Sequence, residues 1–203
     1  MSELKKEQWG PGPWQDEPDR LDWRDERTGL HCAIRRNDLF GNLCGYVGVP
    51  VGHPFHGWSY DDKIHSRPED YEGTLDDIGV VAAFMNALGE DREHGTIDLG
   101  MALKVHQGIS WSGRGPTNDM PSGLWWFGFD CGHAWDYMPG LSKRLEALPK
   151  NALDELNKYR MKEQVYRTID YVKTECASLA FQLRQLETRV VRTEMPEALK
   201  GGS

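Results

Sequence analysis

The chain has 203 residues, with 24 Lys plus Arg against 32 Asp plus Glu and a formal charge of −8. That length suits one domain with a packed core, and the acidic balance disfavours binding to nucleic-acid polymers. No apolar run reaches the roughly 20 residues of a membrane span, and the start of the chain has no apolar signal-peptide core, so the sequence predicts a soluble protein of the cytosol.

In chain order, residues 1–28 are polar and carry Trp9, Trp14 and Trp23 without clear periodicity. They predict an extended arm pinned by its tryptophans onto a single domain spanning 29–200. His31 to Arg36 and Leu43 to Val49, separated by Asn37-Asp38 and Gly41-Asn42, predict a β-hairpin. Residues 50–73 read as a long loop, and 75–88 as a short helix with Thr74 as its N-cap. Between Met101 and Trp111, Leu103, Val105, Ile109 and Trp111 alternate, which predicts a strand bent at Gly108 with His106 on its opposite face. Leu124 to Phe129 is a continuous apolar run, the pattern of a central strand.

Pro139 and Pro149 bracket a short helical segment, and LDEL at 153–156 suggests a further turn or two. The apolar positions Val165, Ile169, Val172, Cys176, Leu179, Leu183, Leu186 and Val190 are spaced alternately four and three apart. That spacing predicts one amphipathic helix over about residues 163–190. It would either cover the sheet or pair with a second copy in a homodimer, and Tyr166, Ala180 and Phe181 broaden the stripe toward sheet packing. The predicted fold is α+β: a small, mainly antiparallel sheet with Gly-rich loops, covered by a long C-terminal helix.

No P-loop, dinucleotide fingerprint, zincin, EF-hand or nucleophile-elbow motif is present. The four cysteines, Cys32, Cys44, Cys131 and Cys176, form no C-x-x-C pair and are expected to be reduced. What carries chemistry is a density of polar groups in the glycine-rich centre. Asp130, Cys131, His133 and Asp136 follow the apolar run, at the strand end where sites gather in open sheets. His106 precedes them, and His53 and His56 sit in a loop fixed by glycine and proline. Three uses are open. His106, Asp130, His133 and Asp136 could hold a divalent metal that activates water. Cys131 could pair with His133 or His106 as thiolate and imidazole. Or the histidines could bind phosphate while Trp125, Trp126 or Trp135 stacks a base.

The strings GYVGVPVGHPFHGWSYDD, VHQGISWSG, LWWFGFDCGHAWD and YVKTECASLAFQL resemble a family of small bacteriophage proteins with a WWFGFDCGH-type motif. The resemblance covers about residues 42–72, 104–136 and 166–183, with 74–98 looking like an insertion, and it carries no catalytic residue across. It implies a phage accessory protein in the host bacterial cytoplasm, of a kind that often counters host defence. Three functions are therefore expected as alternatives. The first is a binder of a small, phosphate-bearing, nucleotide-like ligand in a His/Asp/aromatic pocket. The second is a metal-dependent hydrolase of such a ligand. The third is an acidic inhibitor of a host defence protein.

Overall fold

The computed structural model describes residues 5–65, 96–158, 161 and 163–189. Its architecture is α+β. Five antiparallel strands run in the order β1-β2-β3-β7-β6, where β1 is Arg20–Arg24, β2 His31–Arg36, β3 Leu43–Pro50, β6 Trp111–Gly113 and β7 Leu124–Asp130. A separate two-stranded ribbon pairs β4, Lys63–His65, with β5, Thr96–Asp98. The helices are α1, Leu99–Ala102, α2, Pro139–Glu146, α3, Lys150–Asn157, and α4, Ile169–Arg189. Among the described residues no helix is long and apolar enough to cross a membrane.

The hairpin and the central strand stand where the sequence puts them. β2 and β3 pair with Cys32 opposite Val47, and β7 lies between β3 and β6. Alternation along β7 divides its side chains. Phe127 and Phe129 enter the main core with Cys32, Ile34, Leu43 and Val47, whereas Trp126 joins Ala33 and Met120 on the other face. Helix α4 covers the main-core face, burying Val172, Cys176, Leu179, Ala180 and Leu183 completely. Gly45 on β3 permits the close approach, since a Cβ there would lie 2.4 Å from the Phe129 ring and 2.8 Å from the Cys176 sulfur. From Ile169 to Leu183 the apolar face of the helix is thus covered by the chain's own sheet.

Four expectations need correction. Helix α4 begins at Ile169, not near 163, because the backbone of Val165 is taken by a parallel bridge to Asp136 and hydrogen-bonds Trp135 and Tyr137. Val165 is therefore half-exposed instead of sealing the seam. The segment 101–111 is not a strand. Residues 99–102 are helical, and Gln107 and Gly108 take φ of +56° and +91°, a left-handed pair that ends any extended run. In place of a neighbouring strand, the side-chain amide of Gln182 accepts from the Lys104 N–H and donates to its carbonyl, both at 2.7 Å. Leu103 and Ile109 are nonetheless buried, so apolar alternation here records core packing without strand geometry. The loop read over 50–73 includes β4, and the first 28 residues include β1, the edge strand of the main sheet. The helix expected over 75–88 lies outside the described residues.

The rest of the N-terminal segment is tied down by aromatic and ionic contacts. Trp14 is buried, stacked on Tyr137 at 5.6 Å and edge-on to Tyr166 at 5.1 Å. Arg36, whose side chain is 1% exposed, binds Glu17 at 3.1 Å and Asp19 at 2.7 Å and donates to the Tyr166 hydroxyl. Tyr166 in turn donates to Glu17, and Glu17 accepts the N–H of Ile169 at 2.9 Å. That N–H is one of the orphan donors at the start of α4, so residue 17 helps fix where the helix begins.

Candidate functional site

Beyond β7 the chain turns through Cys131 to Asp136 and places Asp136 at the centre of a polar cluster. Its carboxylate is 1% exposed. One oxygen accepts from Arg167 Nε at 2.9 Å. The other lies 2.8 Å from His106 Nε2 and accepts the backbone N–H of His133 at 3.1 Å. His106 Nδ1 is 2.9 Å from the Tyr171 hydroxyl. His133 stands 5.7 Å from His106, ring centre to ring centre, and its Nδ1 is 3.5 Å from Asp136.

Local structure explains how distant residues meet here. The left-handed turn at Gln107-Gly108 fixes the short segment that carries His106. The Asp136–Val165 bridge brings Arg167 alongside, and the first turn of α4 presents Tyr171. The two histidines and Asp136 thus belong to one constellation, set by a turn and a bridge instead of by neighbouring strands.

The electrostatics follow from these contacts. Burial works to raise the Asp136 carboxyl. The hydrogen bonds from Arg167, His106 and the His133 N–H outweigh it and hold the group below the ordinary carboxylate range. Because an ionised carboxylate can only accept, His106 must donate from Nε2. In the neutral ring Nδ1 then accepts from Tyr171. The result is an Asp–His–Tyr chain with Tyr171 at its outer end. Arg167 spends Nε on Asp136 and stacks its guanidinium 4.9 Å from the Tyr171 ring centre. Among the described residues its two terminal amino groups take no hydrogen bond. His133 keeps a third of its side chain in solvent. Trp135, between them in sequence, is 51% exposed.

The other predicted residues go elsewhere. Asp130 shares the β7 face of Trp126 and points away from the cluster; its oxygens accept from Ser110 Oγ at 3.0 Å and the Gly132 N–H at 2.9 Å. Cys131, one residue on, turns into the main core. Burial, with Asp136 nearby, pushes its thiol far above the ordinary range, which works against the thiolate that the expected pairing with an imidazole needs. Trp126 is wholly buried and offers no face to a ligand. Trp125 is held by its Nε1 bond to the Trp58 carbonyl. His53 is buried, accepting from the Phe55 N–H at 3.2 Å, with its Nε2 3.3 Å from the Leu183 carbonyl; it fastens the 50–58 loop to α4. His56 lies on the same loop, 6.2 Å from the Trp125 ring.

For a divalent metal, His106, His133 and Asp136 offer ligand atoms within 4.8 Å of one another. Asp130, the expected fourth ligand, is not part of that group. The sequence reading missed Arg167 and Tyr171. Arg167 gives no signal before its partner is known, but Tyr171 stands two residues beyond Ile169, on the polar shoulder of the predicted helix.

No family model, curated protein or solved structure matches the chain.

Proposed function

We propose that the chain binds a small, phosphate-bearing, nucleotide-like ligand at the 131–136 turn, as an accessory protein of bacteriophage type acting in a bacterial host. One observation carries the reading. Asp136 holds Arg167 by Nε alone, so a guanidinium whose two amino groups are uncommitted among the described residues shares a buried carboxylate with the partly exposed His133. Two fixed donors of this kind suit a phosphate, since a guanidinium fork matches two phosphate oxygens. The exposed indole of Trp135 supplies a face on which a base can stack. His106 and Tyr171 act behind them as positioning residues, holding Asp136 and hence Arg167 and His133.

The test is calorimetric titration with adenosine monophosphate and adenosine. The phosphate should improve affinity by at least about tenfold, and Arg167→Gln should abolish that advantage while Trp135→Ala weakens both ligands. Equal affinity for the two ligands, or an unchanged Arg167→Gln variant, would overturn the reading.

The 4.8 Å grouping of His106, His133 and Asp136 favours a second reading, a metal-dependent hydrolase of the same ligand class. A metal there has to displace the His106–Asp136 hydrogen bond and sit beside Arg167, which opposes its charge. Equilibrium dialysis against zinc or manganese decides it. Stoichiometric binding lost in His106→Ala and His133→Ala, with phosphate released from the nucleotide, supports hydrolysis; no retained metal leaves capture.

A further inference from the structure

Asp130 is left over from the polar cluster, and it lines a cavity of its own. The cavity has a volume of about 390 Å³, within the range of small-molecule sites, and opens on the sheet face opposite α4. Its floor is built by cross-strand neighbours, with Cys44 opposite Asp130, and Gly128 opposite Tyr46 on one side and Trp111 on the other. Gly128 is required for this floor. A Cβ there would lie 2.6 Å from the Tyr46 ring, so glycine lets the phenol lie down across the strand. Tyr46 meets Trp111 edge-to-face at 5.9 Å, and Phe40, 36% exposed, completes an aromatic lining.

None of the fourteen lining residues is Lys, Arg or His. Burial raises the Cys44 thiol to about 11 and pushes the Tyr46 phenol up as well, leaving both uncharged at neutral pH. Among the described lining residues the only charge is therefore the Asp130 carboxylate. Each of its oxygens takes one hydrogen bond, from Gly132 or Ser110, and keeps acceptor capacity to spare. Beside it, Asn42 is 5% exposed, and among the described residues its side-chain oxygen has no hydrogen-bond partner, a cost of burial that a donor from a ligand would relieve. Gly132 keeps the two together, since a Cβ there would press on Asp130 Oδ1 at 2.9 Å and Asn42 Nδ2 at 3.1 Å.

We propose that this cavity is a second, independent site that takes a small organic cation, an aryl-alkyl ammonium. Its N–H groups bind Asp130 and the Asn42 oxygen, and its flat body lies among Phe40, Tyr46 and Trp111. One carboxylate, one orphaned acceptor, aromatic walls and no cation among the described lining residues are what such a ligand needs.

The test titrates the full chain with phenethylamine and with the neutral isostere phenethyl alcohol, by calorimetry at neutral pH. The amine should bind saturably and at least about tenfold more tightly than the alcohol, and Asp130→Asn should erase the difference. Melting curves check that Asp130→Asn is folded. If it is not, Phe40→Ala, at a partly exposed position, should weaken the amine at least about threefold instead. Arg167→Gln should leave amine binding unchanged, which separates this site from the phosphate site. Equal binding of amine and alcohol, no saturation up to about 10 mM amine, or full affinity in a folded Asp130→Asn variant would each overturn the proposal.

Discussion

Replacing Asp136 by asparagine keeps the shape of the side chain and removes its charge. The carboxylate takes three hydrogen bonds while 1% exposed, from Arg167, His106 and the His133 backbone. An amide has one oxygen and two N–H groups. With the oxygen facing His106 and His133 it accepts from both, and its N–H group then confronts the Nε–H of Arg167. With the amide turned round, its oxygen accepts from Arg167, its N–H donates to His106 Nε2, the ring proton moves to Nδ1, and Tyr171 turns from donor to acceptor. The His133 N–H or Arg167 loses its acceptor. A charge-assisted bond contributes about 1.5–3 kcal/mol, and breaking a fully buried ion pair costs about 3–5 kcal/mol. Arg167 is a quarter exposed and recovers water, which places the expected loss at the lower end, about 2–3 kcal/mol.

Denaturant unfolding measures that loss, and the imidazole nitrogen NMR shifts of His106 report the tautomer. The pH dependence adds a second signature. A carboxyl held below its unfolded value contributes stability in full above the unfolded pKa of about 3.9, and loses it as pH falls through the lower folded value. The gap between wild type and variant should thus be level above about pH 5 and close in acid. A variant within about 0.5 kcal/mol of wild type, or a His106 proton already on Nδ1 in the wild type, would refute the assignment of Asp136 as the centre of the cluster.

Other outcomes follow from the same contacts. Leu183→Ala removes a fully buried side chain under α4 and should cost about 2–5 kcal/mol in chemical denaturation; a negligible shift in midpoint would contradict its burial. Trp14→Ala should cost about 3–5 kcal/mol, because the indole is buried between Tyr137 and Tyr166, whereas an unaltered melting temperature would make the N-terminal segment a mere tail. Burial raises Cys32 to about 12 and Cys44 to about 11 and also pushes up Cys131 and Cys176. Iodoacetamide near pH 8 should therefore leave the folded protein almost unlabelled and modify all four thiols on unfolding; rapid labelling of Cys131 would restore the thiolate reading.

The elements legible in the sequence are those where periodicity and burial coincide. The a/d spacing from Ile169 to Leu183 marks a helix because every one of those side chains packs on the sheet. The run 124–129 marks a central strand because neighbours on both sides and cores on both faces leave little of it for water. Where burial comes without regular backbone, pattern misleads. Leu103 and Ile109 alternate as a strand would, yet the segment turns at Gln107 and borrows the Gln182 side chain for its hydrogen bonds. β1 was invisible for the converse reason: as an edge strand it alternates exposed Arg and Asp with half-buried Leu21 and Trp23, and charged edges dilute the apolar signal.

The candidate site divides along the same line. Sequence proximity suggests that Asp130, Cys131, His133 and Asp136 act together, but a strand sends successive side chains to opposite faces, and β7 runs through Asp130. Asp130 therefore leaves with Trp126 and Gly128, and Cys131 leaves with Phe129 into the core. Only past the strand, where the 132–136 turn curls back, do His133 and Asp136 face the same carboxylate-centred cluster. The partners that complete it come from more than thirty residues away, through a backbone bridge at Val165 that no side-chain pattern encodes. One strand end thus feeds two environments of opposite chemistry: a carboxylate in an aromatic cavity on one face, and a carboxylate neutralised by Arg167 beside a solvent-facing imidazole on the other. By the proposals above a cation suits the first and an anion the second, so Asp130→Asn should weaken the cation and spare the anion, and Arg167→Gln should do the reverse.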